Sequence, residues 1–228
     1  MTQISIQTTT PSIAKSTQFY ETLGFQKIPS EGRSIFTDGM AIIEINTDRF
    51  ARSGFRLYKK SWSEEISFLQ QNSIIEYSEG YMTTDPNGVW IYLIESEFMG
   101  EVSERKNFSK LGNYSGISIE TISMVRSLDF YQVLGFSVAA GSTDSPWMTL
   151  SHPSGFGISF MKPQSCPHLF FNPSLTYFNG TSNPSVIQSI RNEDIPITEE
   201  ITYFNKDGEV DNIIIRDPGG LGFFIFND

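Results

Sequence analysis

The 228-residue chain has a single cysteine, Cys166, so no internal disulfide can form, and a reducing compartment suits it. Only two histidines occur, His152 and His168, which leaves little imidazole for ligating a metal or serving as a base. No apolar run approaches the roughly 18 residues a membrane helix needs. The start, Met1-Thr-Gln-Ile-Ser-Ile-Gln-Thr8, lacks the basic-then-apolar order of a signal peptide. Basic residues are also scarce: 16 Lys and Arg against 26 Asp and Glu give a net charge of −10. That balance argues against phosphate backbones and anionic membranes as partners. The expected setting is the cytoplasm, with neither nucleic acid nor membrane as a partner.

Aromatic residues are plentiful, with 19 Phe, 9 Tyr and 3 Trp. Two cores with two ligand-lined concavities would absorb them, and so would two cores alone. The acidic excess is uneven. Residues 1–110 carry 11 basic and 14 acidic groups and residues 111–228 carry 5 and 12, a bias that reads as a solvated, solubilising surface on the second half.

The chain repeats itself. Lys15-Ser-Thr-Gln-Phe-Tyr-Glu-Thr-Leu-Gly-Phe25 returns as Arg126-Ser-Leu-Asp-Phe-Tyr-Gln-Val-Leu-Gly-Phe136, with Phe130 lying 111 residues after Phe19. A second pair closes each copy: Asp85-Pro-Asn-Gly88 before Val89-Trp-Ile-Tyr-Leu93, and Asp217-Pro-Gly-Gly220 before Leu221-Gly-Phe-Phe-Ile-Phe226. The finer pattern is a strand, a helix and three strands, repeated four times. Ile4 and Ile6 alternate with Ser5 and Gln7 as in a half-buried strand. Pro11-Ser12 opens a helix whose stripe is Ile13, Phe19, Tyr20 and Leu23, and Gly24 ends it. Ser61-Trp-Ser-Glu-Glu65 suggests a second helix with a Ser61–Glu64 capping box, running to about Asn72. The pattern divides the chain into a first domain at 1–96 (modules 1–46 and 54–95), a partly helical linker at 97–113, and a second domain at 114–228 (modules 114–162 and 174–228). The Pro-rich segment 162–173 reads as an irregular loop.

This plan, with Ser-x-x-Phe-Tyr-x-x-Leu-Gly in the odd modules and Asp-Pro-x-Gly in the even ones, resembles the vicinal oxygen chelate superfamily. That group contains glyoxalases, bleomycin resistance proteins and extradiol dioxygenases. The resemblance implies an α+β fold of four βαβββ modules in two pairs. Each pair would form a half-barrel mixed sheet with helices outside and one concavity within. Metal-bearing members place ligands on the first and last strand of each module, and there the cation chelates neighbouring substrate oxygens. The matching positions here are Ser5, Glu44, Gly54 and Tyr92 in the first half. In the second they are Gly116, Ser159, Ser174 or Leu175, and Phe224. Only Glu44 is a competent ligand, so no cofactor is expected and a divalent metal is the alternative.

Other chemistry finds little footing. Cys166 near His168 lacks a charge or helix start to activate the thiol. Gly219-Gly220-x-Gly222 precedes a strand and reads as a turn, since a phosphate cradle would open a helix.

Period two sends Ile4, Ile6, Ile43, Ile45, Phe55, Leu57, Ile91 and Leu93 to the helices. It sends Ser5, Gln7, Glu44, Arg56, Tyr58, Trp90 and Tyr92 into the first concavity. A lining both polar and aromatic suits a small-molecule site, with Glu44 able to draw a planar or cationic ligand onto Trp90. The competing reading is a buried Glu44–Arg56 pair in a filled barrel. The second concavity, with Ser118, Glu120, Ser159, Phe224 and Phe226, reads as a collapsed structural half. Three function classes follow: a metal-free binding protein, a lyase, isomerase or dioxygenase using an atypical metal site or Glu44 as acid–base group, and a scaffold with empty pockets. With both pairs in one chain a monomer is expected, a dimer being the other state.

Overall fold

In the computed structural model, which describes residues 2–69, 73–100 and 106–227, the four modules are all present. β1 (Gln3–Thr9) keeps its alternation, with Ile4 and Ile6 in the core. The Ser12 hydroxyl accepts from the Lys15 amide at 3.5 Å and caps α1 (Ile13–Thr22). Gly24, at φ +85°, takes the left-handed turn that ends it. Strands β2 (Gln26–Ile28), β3 (Ser34–Thr37) and β4 (Ile42–Asn46) complete the first module. The second comprises β5 (Gly54–Tyr58), α2 (Ser63–Leu69), β6 (Ile75–Tyr77), β7 (Gly80–Thr84) and β8 (Trp90–Ile94).

The helix expected from Ser61 is described from Ser63 to Leu69, and its expected end at 70–72 lies outside the described residues. The Ser61 hydroxyl accepts from the Ser63 amide at 3.4 Å, one residue short of the Glu64 partner that a capping box would use. The buried Trp62 fixes the entry instead: its indole N–H donates to the Ile94 carbonyl at 3.1 Å and its amide donates to Glu95 Oε1 at 3.1 Å. Between β8 and β9 (Tyr114–Glu120) the described residues form neither helix nor strand, and 101–105 lie outside the described set.

The third module continues with α3 (Met124–Val133), β10 (Ser137–Gly141), β11 (Trp147–Ser151) and β12 (Gly157–Met161). The fourth is β13 (Ser174–Phe178), α4 (Asn183–Asn192), β14 (Ile197–Ile201), β15 (Asn212–Arg216) and β16 (Gly222–Phe226).

Two eight-stranded mixed sheets result, ordered β2-β3-β4-β1-β5-β8-β7-β6 and β10-β11-β12-β9-β13-β16-β15-β14. In each, two first strands meet antiparallel at the centre, β1 with β5 and β9 with β13. Each is flanked by its own module's last strand, in parallel. The modules therefore pair in sequence order, first with second and third with fourth.

All eight aliphatic and aromatic side chains expected to face the helices do so. They belong to one hydrophobic core that also takes Ile117, Phe160, Leu175, Tyr177 and Phe223 from the second sheet. Each such fully buried side chain contributes about 1.5–3 kcal/mol. The helices lie at the junction, where Phe19 of α1 meets Phe223 of β16 at 5.8 Å. The halves thus stand back to back. Each sheet turns its concave face away from the shared core, a polar network in the first half and the apolar Ile201–Ile214–Phe224–Phe226 cluster in the second.

Candidate functional site

Glu44, in the middle of β4, is buried on the polar face of the first sheet. Its Oε1 accepts from the Ser5 hydroxyl and, at 2.5 Å, from the Tyr58 phenol. Arg56 Nε and Arg33 Nη1 each approach Oε2 at 3.4 Å. The Tyr58 oxygen in turn accepts from Arg33 Nη1 at 2.7 Å and Arg56 Nε at 2.9 Å. Arg56 extends the network to Gln7 Oε1 at 2.9 Å and Glu79 Oε2 at 2.7 Å. Arg33 pairs with the other oxygen of Glu79. Two guanidiniums and two carboxylates alternate, so the cluster is neutral.

Burial pushes the Tyr58 phenol above its ordinary range, and the Glu44 carboxylate beside it adds to the shift. Tyr58 therefore stays protonated and can donate to Glu44. For Arg56, burial opposes the charge, but Tyr58, Glu44 and Glu79 outweigh it and hold the guanidinium protonated.

Register explains how the expected residues come together. Ser5 pairs with Arg56 across β1–β5, and Arg56 with Tyr92 across β5–β8. One level of the sheet is thus Ser5, Arg56 and Tyr92. The next is Gln7, Glu44, Gly54 and Trp90. The four positions counted as metal-ligand equivalents, Ser5, Glu44, Gly54 and Tyr92, are split between these levels, and the residue beside Ser5 and Tyr92 is Arg56. Tyr92 differs from expectation in another way. Its hydroxyl donates to the Arg52 carbonyl at 3.1 Å and accepts from the Arg52 amide at 3.2 Å, so both roles are filled by backbone. Trp90 is half-buried against the Tyr58–Tyr92–Ile94 cluster.

Three participants escaped sequence reasoning: Arg33, Glu79 and Tyr77. Arg33 precedes β3, and Glu79 lies in the turn between β6 and β7. Strand periodicity cannot orient residues outside strands. Tyr77 ends the short edge strand β6, with its ring edge-on to Tyr92 at 6.3 Å. Its hydroxyl is buried without a hydrogen-bond partner.

Open space adjoins this network. A recess of about 220 Å³ is lined by Gln7, Arg33, Glu44, Asn46, Arg56 and Glu79 among others. Arg33 also borders a cavity of about 670 Å³ walled by Ile35, Tyr58, Phe98 and Met99. Phe98 meets the Tyr58 ring edge-on at 5.2 Å.

The second half is built differently. Thr176 stands level with Gly116 and Phe224, while Ser118, Ser159, Ser174 and Gly222 form the next level. Leu175, one of the two candidates for this strand, belongs to the shared core. The 162–173 loop packs its rings onto this face. Phe170 lies 5.1 Å from Phe224, which stacks on Phe226 at 5.3 Å, and His168 contacts both. Phe171 presses on Gly222, where a Cβ would come within 2.5 Å of the ring. Glu120 accepts from the Gln164 amide at 3.2 Å and helps latch the loop.

The residues present do not fit a resident metal of the superfamily's kind. Among the described residues no three His, Cys, Asp or Glu side chains gather as a ligand group. In the first half the guanidiniums of Arg33 and Arg56 already face Glu44, so a divalent cation there would meet two positive charges. The histidines are occupied elsewhere: His152 Nδ1 lies 2.8 Å from the Ser154 hydroxyl, and His168 Nδ1 lies 2.8 Å from the Leu169 carbonyl.

This architecture has known counterparts. A catechol 2,3-dioxygenase superposes with a TM-score of 0.56 at 12% identity, over 96% of this chain and 85% of that one. An extradiol ring-cleaving dioxygenase from B. fuscum gives 0.59 at 14% identity, over 98% and 70%. A variant of 4-hydroxymandelate synthase from Streptomyces coelicolor gives 0.56 at 9% identity, over 96% and 90%. No family model matches the sequence, and no curated protein does. The chain shares the tandem fold of these structures, the architecture that its repeated signatures imply.

Proposed function

We propose that the chain is a metal-free member of this fold that binds a small planar molecule in the first concavity. The observation that carries this is the contrast between the two halves. The second concavity is packed by its own loop, with Phe170 and Phe171 on Phe224 and Phe226. The first keeps open space beside a buried, aromatic-walled polar network, a combination suited to orienting a ligand. A cationic ligand has less support, because two guanidiniums already engage the Glu44 carboxylate.

Catalysis of the kind named for the neighbours is the second reading, favoured by the fold. It would need a site other than the paired Glu44, since fold alone does not carry an activity. A thermal-shift screen with planar phenols and planar cations tests the proposal, read against Trp90→Ala, Tyr92→Phe and Phe224→Ala. Hits weakened by Trp90→Ala and kept by Phe224→Ala support the first-half site. Hits abolished only by Phe224→Ala would move it to the second half. Near-stoichiometric zinc, nickel, manganese or iron in the dialysed protein, lost on Glu44→Ala, would overturn the metal-free reading.

A further inference from the structure

We propose that the ligand of the first concavity is a planar monocarboxylic acid whose carboxylate takes the place of Glu79 between Arg33 and Arg56. This rests on the first-half binding reading and adds the ligand's charge and the residue that competes with it.

Two guanidiniums from different parts of the fold converge on one carboxylate, Arg33 on one oxygen of Glu79 and Arg56 on the other at 2.7 Å. Such a fork matches the planar, two-oxygen geometry of a carboxylate. The two carboxylates of the cluster are held very unequally. Glu44 has a side chain only 6% exposed, sits mid-strand, and is gripped by Ser5 and Tyr58 as well. Glu79 is 35% exposed and sits in a turn, and among the described residues its carboxylate is held only by the two arginines. It can swing into water where Glu44 cannot.

Glu79 also divides space. It lines the recess of about 220 Å³ beside Arg56 and another of about 520 Å³ beside Tyr77. Moving its side chain outward would join the two around the guanidinium pair. The Tyr77 hydroxyl, buried and without a partner, lies in the same surroundings as Arg56, Glu79 and Tyr92. Leaving a buried hydroxyl unpaired is costly, and a ligand oxygen would satisfy it.

Charge selects the acid. With Glu79 outside, Arg33, Arg56 and Glu44 sum to one positive charge. A monocarboxylate restores neutrality, a neutral amide leaves the excess uncancelled, and a phosphate dianion overshoots it next to Glu44. The Tyr77 and Tyr81 rings, which line the second recess, favour a flat body behind the carboxylate.

Isothermal titration of the whole chain with naphthoate and with the isosteric neutral naphthamide tests this, with melting curves confirming that each variant is folded. Naphthoate is expected to bind at least about tenfold more tightly than naphthamide. Glu79→Gln should tighten naphthoate binding further, because it removes the occupied, binding-incompetent state. Arg33→Met should abolish the preference for the acid. Tyr77→Phe should weaken binding several-fold without moving the melt. Equal affinity for acid and amide, or no gain in Glu79→Gln, overturns the inference while leaving the first-half site standing. If no planar compound of either charge binds the wild type or Glu79→Gln, both readings fall.

Discussion

The Tyr20 phenol of α1 donates to Asp217 Oδ2 at 2.9 Å, joining the repeated helix motif of the first half to the turn motif of the second. The reverse contact also exists: Tyr131 of α3 donates to Asp85 Oδ2 at 3.0 Å. The two repeated signatures thus meet each other crosswise. Tyr177 on Asp38 at 2.7 Å adds a third phenol–carboxylate bond across the halves. A repeated pattern that strand periodicity alone would assign to turns and helix faces is, in three dimensions, the fastening between the two sheets.

Tyr20→Phe is therefore expected to destabilise the chain by about 1.5–3 kcal/mol, the range for a hydrogen bond to a charged group. Asp217 would keep its bonds from Thr8, Gly219 and Leu221, so the fold should survive. Tyr131→Phe should behave alike at Asp85. Urea titration measures both, and a loss below about 0.5 kcal/mol would show that water or a neighbour replaces the phenol.

The same carboxyls give the chain a distinctive acid response. Burial raises Asp38, Asp85 and Asp217 above the ordinary carboxylate range, and the hydrogen bonds they accept only partly oppose it. A folded value above the unfolded one means that protonation favours the fold. The contribution is complete below the unfolded value, about 3.9, and is lost as pH rises through the raised folded value. The wild type should thus gain stability over Asp217→Asn on acidification from neutrality. Carboxyl-carbon NMR should show all three titrating above exposed aspartates. A stability difference that stays flat or shrinks on acidification would contradict this.

The fold was legible in the chain because each module advertises its own signals. Ser12 caps the first helix, Gly24 ends it, and alternation assigns β1, β4, β5 and β8 of the first sheet to a core face and a polar face. That Ser5, Gln7, Glu44, Arg56, Tyr58, Trp90 and Tyr92 share one face of the first sheet was legible for the same reason, since all lie within strands. What escaped was the partner set. Arg33 and Glu79 come from segments without a period, and only the folded sheets bring them to Arg56 and Glu44. Counting residues from the helix motif also placed Gly54 beside Tyr92, two residues away from Arg56, because the hydrogen-bond register and not sequence distance sets the level. In the second half, the loop carrying Phe170 and Phe171 gave no signal that its rings would turn inward.

We expect the chain to be monomeric. The helix-bearing faces of both sheets already bury each other in one core, so no such face is left needing a second copy. Light scattering across low micromolar concentrations measures this directly. A dimer that persists on dilution, with an unfolding midpoint dependent on protein concentration, would refute it.

The two arginines of the first concavity should differ sharply when removed. Arg56 has a side chain only 5% exposed and bonds Tyr58, Gln7 and Glu79 while flanking Glu44. Arg56→Met leaves Glu44 buried with one fewer counter-charge, a type of change that costs about 3–5 kcal/mol. Arg33 is 35% exposed. Solvent screens its pairs, and Arg33→Met should cost no more than about 1 kcal/mol. Adding Glu44→Gln to Arg56→Met should recover part of the loss, because it removes the stranded charge. Chemical denaturation of the four proteins, wild type included, forms the test. Equal losses at Arg33 and Arg56 would mean that the network is solvated throughout and the concavity wetter than its geometry indicates. The expected inequality would mark Arg56 as the anchor of the site and Arg33 as the member free to respond to a ligand.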